Sequence, residues 1–192
     1  MNSPRRRRLL GTALVLPLVS VLPDVARAQS KPLTPACSGR TPRQTEGPFY
    51  TPQTPERTSL IEEGALAGGK AMRFVLAGTV LSPACRPVAG ALLDFWHADE
   101  DGRYDNEGFR YRGHQRADAQ GRYRLETIVP GLYPGRTRHF HVKVQAPGSR
   151  VLTTQLYFPG EPANARDGIY RPELELRLAG RGEGVFDFVV EA

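Results

Sequence analysis

Two histidines separated by one residue, His139 and His141, lie in the alternating run "RHFHVKVQA". On a strand, residues two apart face the same side. Both imidazoles therefore project together while Phe140 points the other way, and such a pair can clamp a metal ion. The same pattern also occurs on solvated sheet faces. Just upstream, Tyr133 sits between two Pro-Gly turns in "PGLYPG", where a tyrosine serves as a packing lid or as a third donor. Tyr104 occupies another turn, "DEDGRYDN", directly after the run "LLDFWHA"; read alone, it is a corner tyrosine. Taken together, two phenols and two imidazoles point to a hard trivalent ion. Phenolate oxygen favours Fe(III) over Fe(II), and a softer metal would be held by cysteine. Centres that join His-x-His to a glutamate shortly afterwards are excluded, because "HVKVQAPG" carries no acidic residue.

These side chains need strands and turns to position them. After Lys70 the chain reads as short β-runs: 72–80, 90–98, 121–129, 138–146, 150–158, 174–178 and 184–191. Between them lie "SPACRP", "DAQG", "APGS" and "PGEPANARDG", which are turn chemistry. No stretch has a helical period. The expected fold is all-β, an antiparallel β-sandwich of about seven strands over residues 71–192. Residues 29–70 are rich in proline, threonine and serine, which prevents helix and central-strand pairing. They are expected to form an extended arm over the domain, anchored by Phe49 and Tyr50 of "TEGPFY".

Residues 1–28 read as an export leader of the twin-arginine type. Arg6-Arg7-x-Leu9-Leu10 precedes an apolar run too short to span a bilayer, and "ARA" offers cleavage after Ala28. The expected location is periplasmic or secreted, with no membrane anchor once the leader is removed. The leader holds five arginines and one aspartate. The remainder keeps 21 of the 26 basic and 19 of the 20 acidic residues, close to neutrality, so nothing argues for a nucleic-acid partner. Cys37 and Cys85 are either a disulfide, which an oxidising compartment permits, or two free thiols.

The stretches "TEGPFY", "LLDFWHADEDGRY", "GRYRLETIVPGLYPGRTRHFHVKV" and "LTTQLYF", in this order across residues 41–160, resemble the intradiol ring-cleavage dioxygenases, the protocatechuate type above all. The resemblance implies Tyr104, Tyr133, His139 and His141 as ligands of a non-haem Fe(III), with dioxygen as co-substrate. Tyr133 matches the tyrosine that a catecholic substrate displaces, and Tyr104 the one that stays. Arg136 matches an arginine against the bound ring, with Arg138 as its rival, and Gln155 a pocket glutamine that is otherwise an outward strand residue. The implied reaction opens a small catecholic ring between its two hydroxyl-bearing carbons. His97 and His114 match no ligand; the first reads as a buried strand histidine and the second as a loop residue. Two other readings use the same strands. One is a transthyretin-like binding module, which has no need of these four residues together. The other is an extracytoplasmic iron or catecholate binder without turnover.

Overall fold

The computed structural model describes residues 37 and 39–192; the expected leader and residues 29–36 of the arm lie outside the described residues. Among the described residues, nine strands form two sheets: β1 (Arg73–Leu81), β2 (Leu92–Trp96), β3 (Arg112–Arg116), β4 (Arg122–Ile128), β5 (His139–Gln145), β6 (Leu152–Tyr157), β7 (Arg177–Gly180), β8 (Glu183–Val185) and β9 (Phe188–Val189). One sheet runs β4-β1-β8-β7 with β9 also on β1, and the other β3-β2-β5-β6. The core between them takes Phe74, Leu76 and Leu125 from the first sheet and Leu93, Phe95, Phe140, Val142 and Leu156 from the second. The fold is the expected all-β sandwich. Most neighbours are antiparallel, but β8 and β9 pair with β1 in parallel.

Three details depart from the sequence reading. The run 184–191 is two short strands, because the Asp187 carboxylate accepts the Thr79 N–H and breaks the ladder there. A Cβ on Gly78 would lie 1.8 Å from the Phe186 carbonyl oxygen, so only glycine admits this crossing. The run 174–178 begins as a 3₁₀ turn, Pro172–Leu174, and its strand starts at Arg177. Finally, "RGHQR" is a strand, β3, which makes His114 a strand residue rather than a loop residue.

β3 lacked apolar alternation because the N-terminal segment, not the core, covers its polar face. That segment crosses the outer face of the β3-β2-β5-β6 sheet strand by strand. The Gln44 N–H bonds the Thr153 carbonyl of β6, Gly47 lies against His141 of β5, and Tyr50 packs on Trp96 of β2. The Thr54 and Tyr50 hydroxyls both donate to Asp94, and at the β3 edge the Arg57 N–H donates to the His114 carbonyl while the His114 N–H donates to the Pro55 carbonyl. The segment then reaches β4, where Leu60 donates to Glu126. Along β3 and β4 it therefore caps one edge of each sheet, which would otherwise invite pairing with another chain. The same cover explains why β5 is buried on both faces along most of its length. Cys37 and Cys85 are disulfide-bonded, tying the start of this segment to the β1–β2 turn across a separation of 48 residues. A loop of that size stabilises the fold by about 4 kcal/mol on the chain-entropy estimate.

Candidate metal centre

The register of the outer sheet sets the site. Arg112, Trp96, His141 and Gln155 stand directly opposite one another on β3, β2, β5 and β6, so they share one face beneath the arm. His139 lies two residues along, on the same face. The Nε2 atoms of His139 and His141 are 3.1 Å apart, and the Tyr104 hydroxyl donates to His139 Nε2 at 3.2 Å. His139 Nδ1 lies 2.6 Å from the Thr137 carbonyl oxygen. A carbonyl only accepts, so the proton is on Nδ1 and Nε2 presents a bare lone pair. His141 has no such partner for its buried Nδ1; its ring is held instead by Trp96, stacked at 4.8 Å and 8°.

The two tyrosines arrive on separate loops that meet backbone to backbone. A Cβ on Gly102 would fall 2.0 Å from the Leu132 carbonyl oxygen, and one on Gly131 would fall 2.3 Å from the Gly102 nitrogen. The turn glycines of "DEDG" and "PGLYPG" are therefore what lets these loops touch, and the Gly131 N–H completes the contact by bonding the Asp99 carbonyl. Beyond Tyr104, the Asp105 carboxylate accepts three backbone N–H groups, from Glu107, Gly108 and Arg110, and fixes the loop. The Tyr133 ring meets Tyr104 edge-on at 5.8 Å, and Phe49 of the arm stacks on Tyr104 at 4.4 Å. A surface depression of about 360 Å³ opens beside Phe49, lined also by Pro48, Tyr50, Thr51 and Asn106 and by none of the four candidate ligands.

Arg136 is fixed from two sides: Nε donates to Asp167 at 2.8 Å and Nη2 to the Gln155 amide oxygen at 2.6 Å. Gln155 is fully buried, accepts from the Tyr157 hydroxyl and donates to the Thr45 carbonyl of the arm. Its side chain lies on the outer face of the sheet with His141, but beneath the arm and out of solvent. Arg138 pairs instead with Glu161 and the Pro130 carbonyl. Asp167 escaped the sequence reading, since it lies 31 residues from Arg136 in a segment that reads only as a turn. His97 is buried away from this group, bonded to the Thr127 hydroxyl and the Ala98 carbonyl, while His114 bonds the Thr54 carbonyl of the arm.

Burial lowers His139 to about 4, with the Arg136 charge adding to the effect, and holds His141 well below the ordinary histidine range. Both rings are neutral at physiological pH, the form that binds metals. Burial pushes the Tyr104 phenol above its usual value, opposed by the charges of Arg136 and Arg112. A strongly Lewis-acidic cation at its oxygen would act in the opposite direction and lower that value. No group of three or more histidine, cysteine, aspartate or glutamate side chains is gathered for a metal among the described residues, so a centre here depends on phenol oxygen. The donors fit one. Two ligands about 2.1 Å from a common ion and at right angles are about 3 Å apart, which matches the spacing of both pairs.

A family profile described as Dioxygenase matches residues 45–181, most of the chain and every residue of the site. The chain belongs to the intradiol ring-cleavage dioxygenase family. Within the family, it is 32% identical over 149 residues to catechol 1,2-dioxygenase 2 of Acinetobacter lwoffii, covering 65% of this chain and 53% of that protein. It is 37% identical over 118 residues to the protocatechuate 3,4-dioxygenase beta chain of Burkholderia cepacia, covering 52% and 50%. The chain spans about half the length of the curated relatives it matches. Among solved structures, it superposes with a TM-score of 0.75 and 53% identity on the dioxygenase domain of a dioxygenase–carbohydrate-binding protein fusion from Streptomyces sp. SirexAA-E. That match covers 80% of this chain and 99% of the other.

Proposed function

We propose that this family member is a non-haem Fe(III) dioxygenase that opens small catecholic rings between the two hydroxyl-bearing carbons, giving muconate-type diacids. The observation that carries this reading is the convergence of Tyr104 Oη and the two Nε2 atoms of His139 and His141, at 3.2 and 3.1 Å, beside the Tyr133 loop. Family membership supports it, and the relatives named catechol and protocatechuate dioxygenases supply the substrate class. Bound Fe(III) would supply Lewis acidity, lowering the pKa of both catechol oxygens and preparing the ring to react with dioxygen.

The residues divide the remaining work. His139, His141 and Tyr104 would hold the ion from rigid or well-braced positions. Tyr133, half-buried on its Pro-Gly loop, would be the ligand that leaves, and its Oη would take a catechol hydroxyl proton, a general-base role. Arg136 cannot lose its charge and is held by Asp167 and Gln155, so it would stabilise negative charge developing on the ring oxygens without reorganising. Gln155 would aim that guanidinium, and Phe49 would shield the Tyr104 side of the pocket from water.

The test is product analysis. Iron-loaded protein given catechol in air should consume one dioxygen per catechol and release the diacid. Cleavage outside the two hydroxyl-bearing carbons, or binding of catechol with no product, would overturn the proposal in favour of another oxygenase chemistry or a simple binder. Residues 1–28 are also proposed to direct twin-arginine export, consistent with a disulfide suited to an oxidising compartment. Replacing Arg6 and Arg7 by lysine should hold the protein in the cytoplasm; continued export would refute that route.

A further inference from the structure

Arg112 has no part in the chemistry just described, yet it is only 1% exposed and stands in line with His141 and Gln155 across the outer sheet. A buried guanidinium normally meets a carboxylate. Arg112 instead directs its donors to main-chain carbonyls: Nε and Nη2 to Asp105 at 3.1 and 2.6 Å, and Nη1 to Phe49 at 2.5 Å. Asp105 directly follows Tyr104 in the chain. Phe49 is the arm residue whose ring stacks on Tyr104 at 4.4 Å and 15°. One planar fork thus joins the loop that carries Tyr104 to the arm that roofs it, two segments more than fifty residues apart. The chain adopts an unfavourable backbone to bring it there: Tyr111, immediately before Arg112, has φ 54°, the left-handed region that bulky residues avoid. The Tyr111 ring is fully enclosed, stacked on His97 at 5.0 Å.

We infer that Arg112 is the positioning residue of this centre, holding Tyr104 at the two histidines by clamping its loop to the arm at Phe49. The inference rests on the proposed metal centre, but the clamp itself is a property of the polypeptide. Lysine cannot replace the fork, because a single ammonium cannot bridge both carbonyls in the geometry that the planar group provides.

Arg112→Lys tests this with two readouts. In amide hydrogen exchange, segments 45–51 and 103–110 should lose protection together while β5 keeps its own. In iron-loaded protein challenged with a chelator, iron should be retained about 10- to 100-fold less well than in wild type, as for other residues that orient metal ligands. A double variant with Tyr104→Phe decides the route. If Arg112 acts through Tyr104, the double variant loses no more iron than Tyr104→Phe alone, and additive losses overturn the inference. Exchange that loosens only one segment, or neither, overturns the clamp. Should Arg112→Lys fail to fold, the wild-type chain remains informative: the two segments should open with a common dependence on denaturant, and independent opening rules the clamp out. A wild-type protein that takes up no iron would refute the proposed metal centre and leave the exchange result standing.

Discussion

At the residue scale, the site depends on which atom of each ring carries hydrogen. His139 is fixed by the Thr137 carbonyl, and His141 by stacking rather than by a hydrogen bond. Both are held neutral by burial. Tyr104 is the proposed donor whose loss is cleanest to measure. Tyr104→Phe should weaken iron retention by at least about tenfold, since even residues that merely orient ligands cost that much, and should move the visible band. A Tyr104→Phe protein with wild-type colour and iron content would remove Tyr104 from the centre. Arg136→Ala should leave colour and iron content intact and lower turnover by roughly 100- to 1,000-fold, the usual loss on deleting a charge-stabilising donor. Unchanged turnover with several catechols would end that role. The His-x-His period and the two turn tyrosines were legible from sequence because each is a local pattern. Arg112, Asp167 and the stacked Trp96 were not, because each acts through a partner distant in the chain.

At the scale of elements, glycines decide how loops and strands approach. Gly102 and Gly131 let the two tyrosine loops touch, and neither position has room for a side chain. Gly131→Ala would press a methyl group against the Gly102 nitrogen and the Glu100 carbonyl, so the loops must part. A loss of about 1–3 kcal/mol is expected in urea unfolding, the usual range for overpacking, together with reduced iron retention. A Gly131→Ala protein with wild-type stability and iron content would show that the contact is dispensable. Strand alternation made β1, β2, β4, β5 and β6 readable, since each turns an apolar face to the core. β3 was hidden because its outer face is polar beneath the arm, and the β8–β9 break because Asp187 replaces a backbone acceptor.

For the whole molecule, the arm covers the site, the disulfide ties the start of the arm to the sandwich, and burial couples stability to pH. His97 is fully buried, and desolvation lowers it from 6.5 to about 4. For a base whose folded-state pKa lies below its unfolded value, the unfolded chain binds the proton more readily. The stabilisation is therefore complete above about pH 6.5 and is lost as pH falls towards 4. It amounts to about 3 kcal/mol. His139 acts in the same direction. Urea unfolding at pH 7 and pH 4.5 should show a marked loss in wild type and a smaller one in His97→Gln; equal losses would mean that His97 titrates normally.

The most direct measurement is the visible absorption spectrum of the iron(III)-loaded protein, recorded without oxygen before and after adding catechol. Two tyrosine ligands, one of them displaceable, require a tyrosinate-to-iron band before catechol and its displacement to a new position afterwards. A colourless protein, or a band that catechol leaves unmoved, would contradict a centre built from Tyr104, Tyr133, His139 and His141.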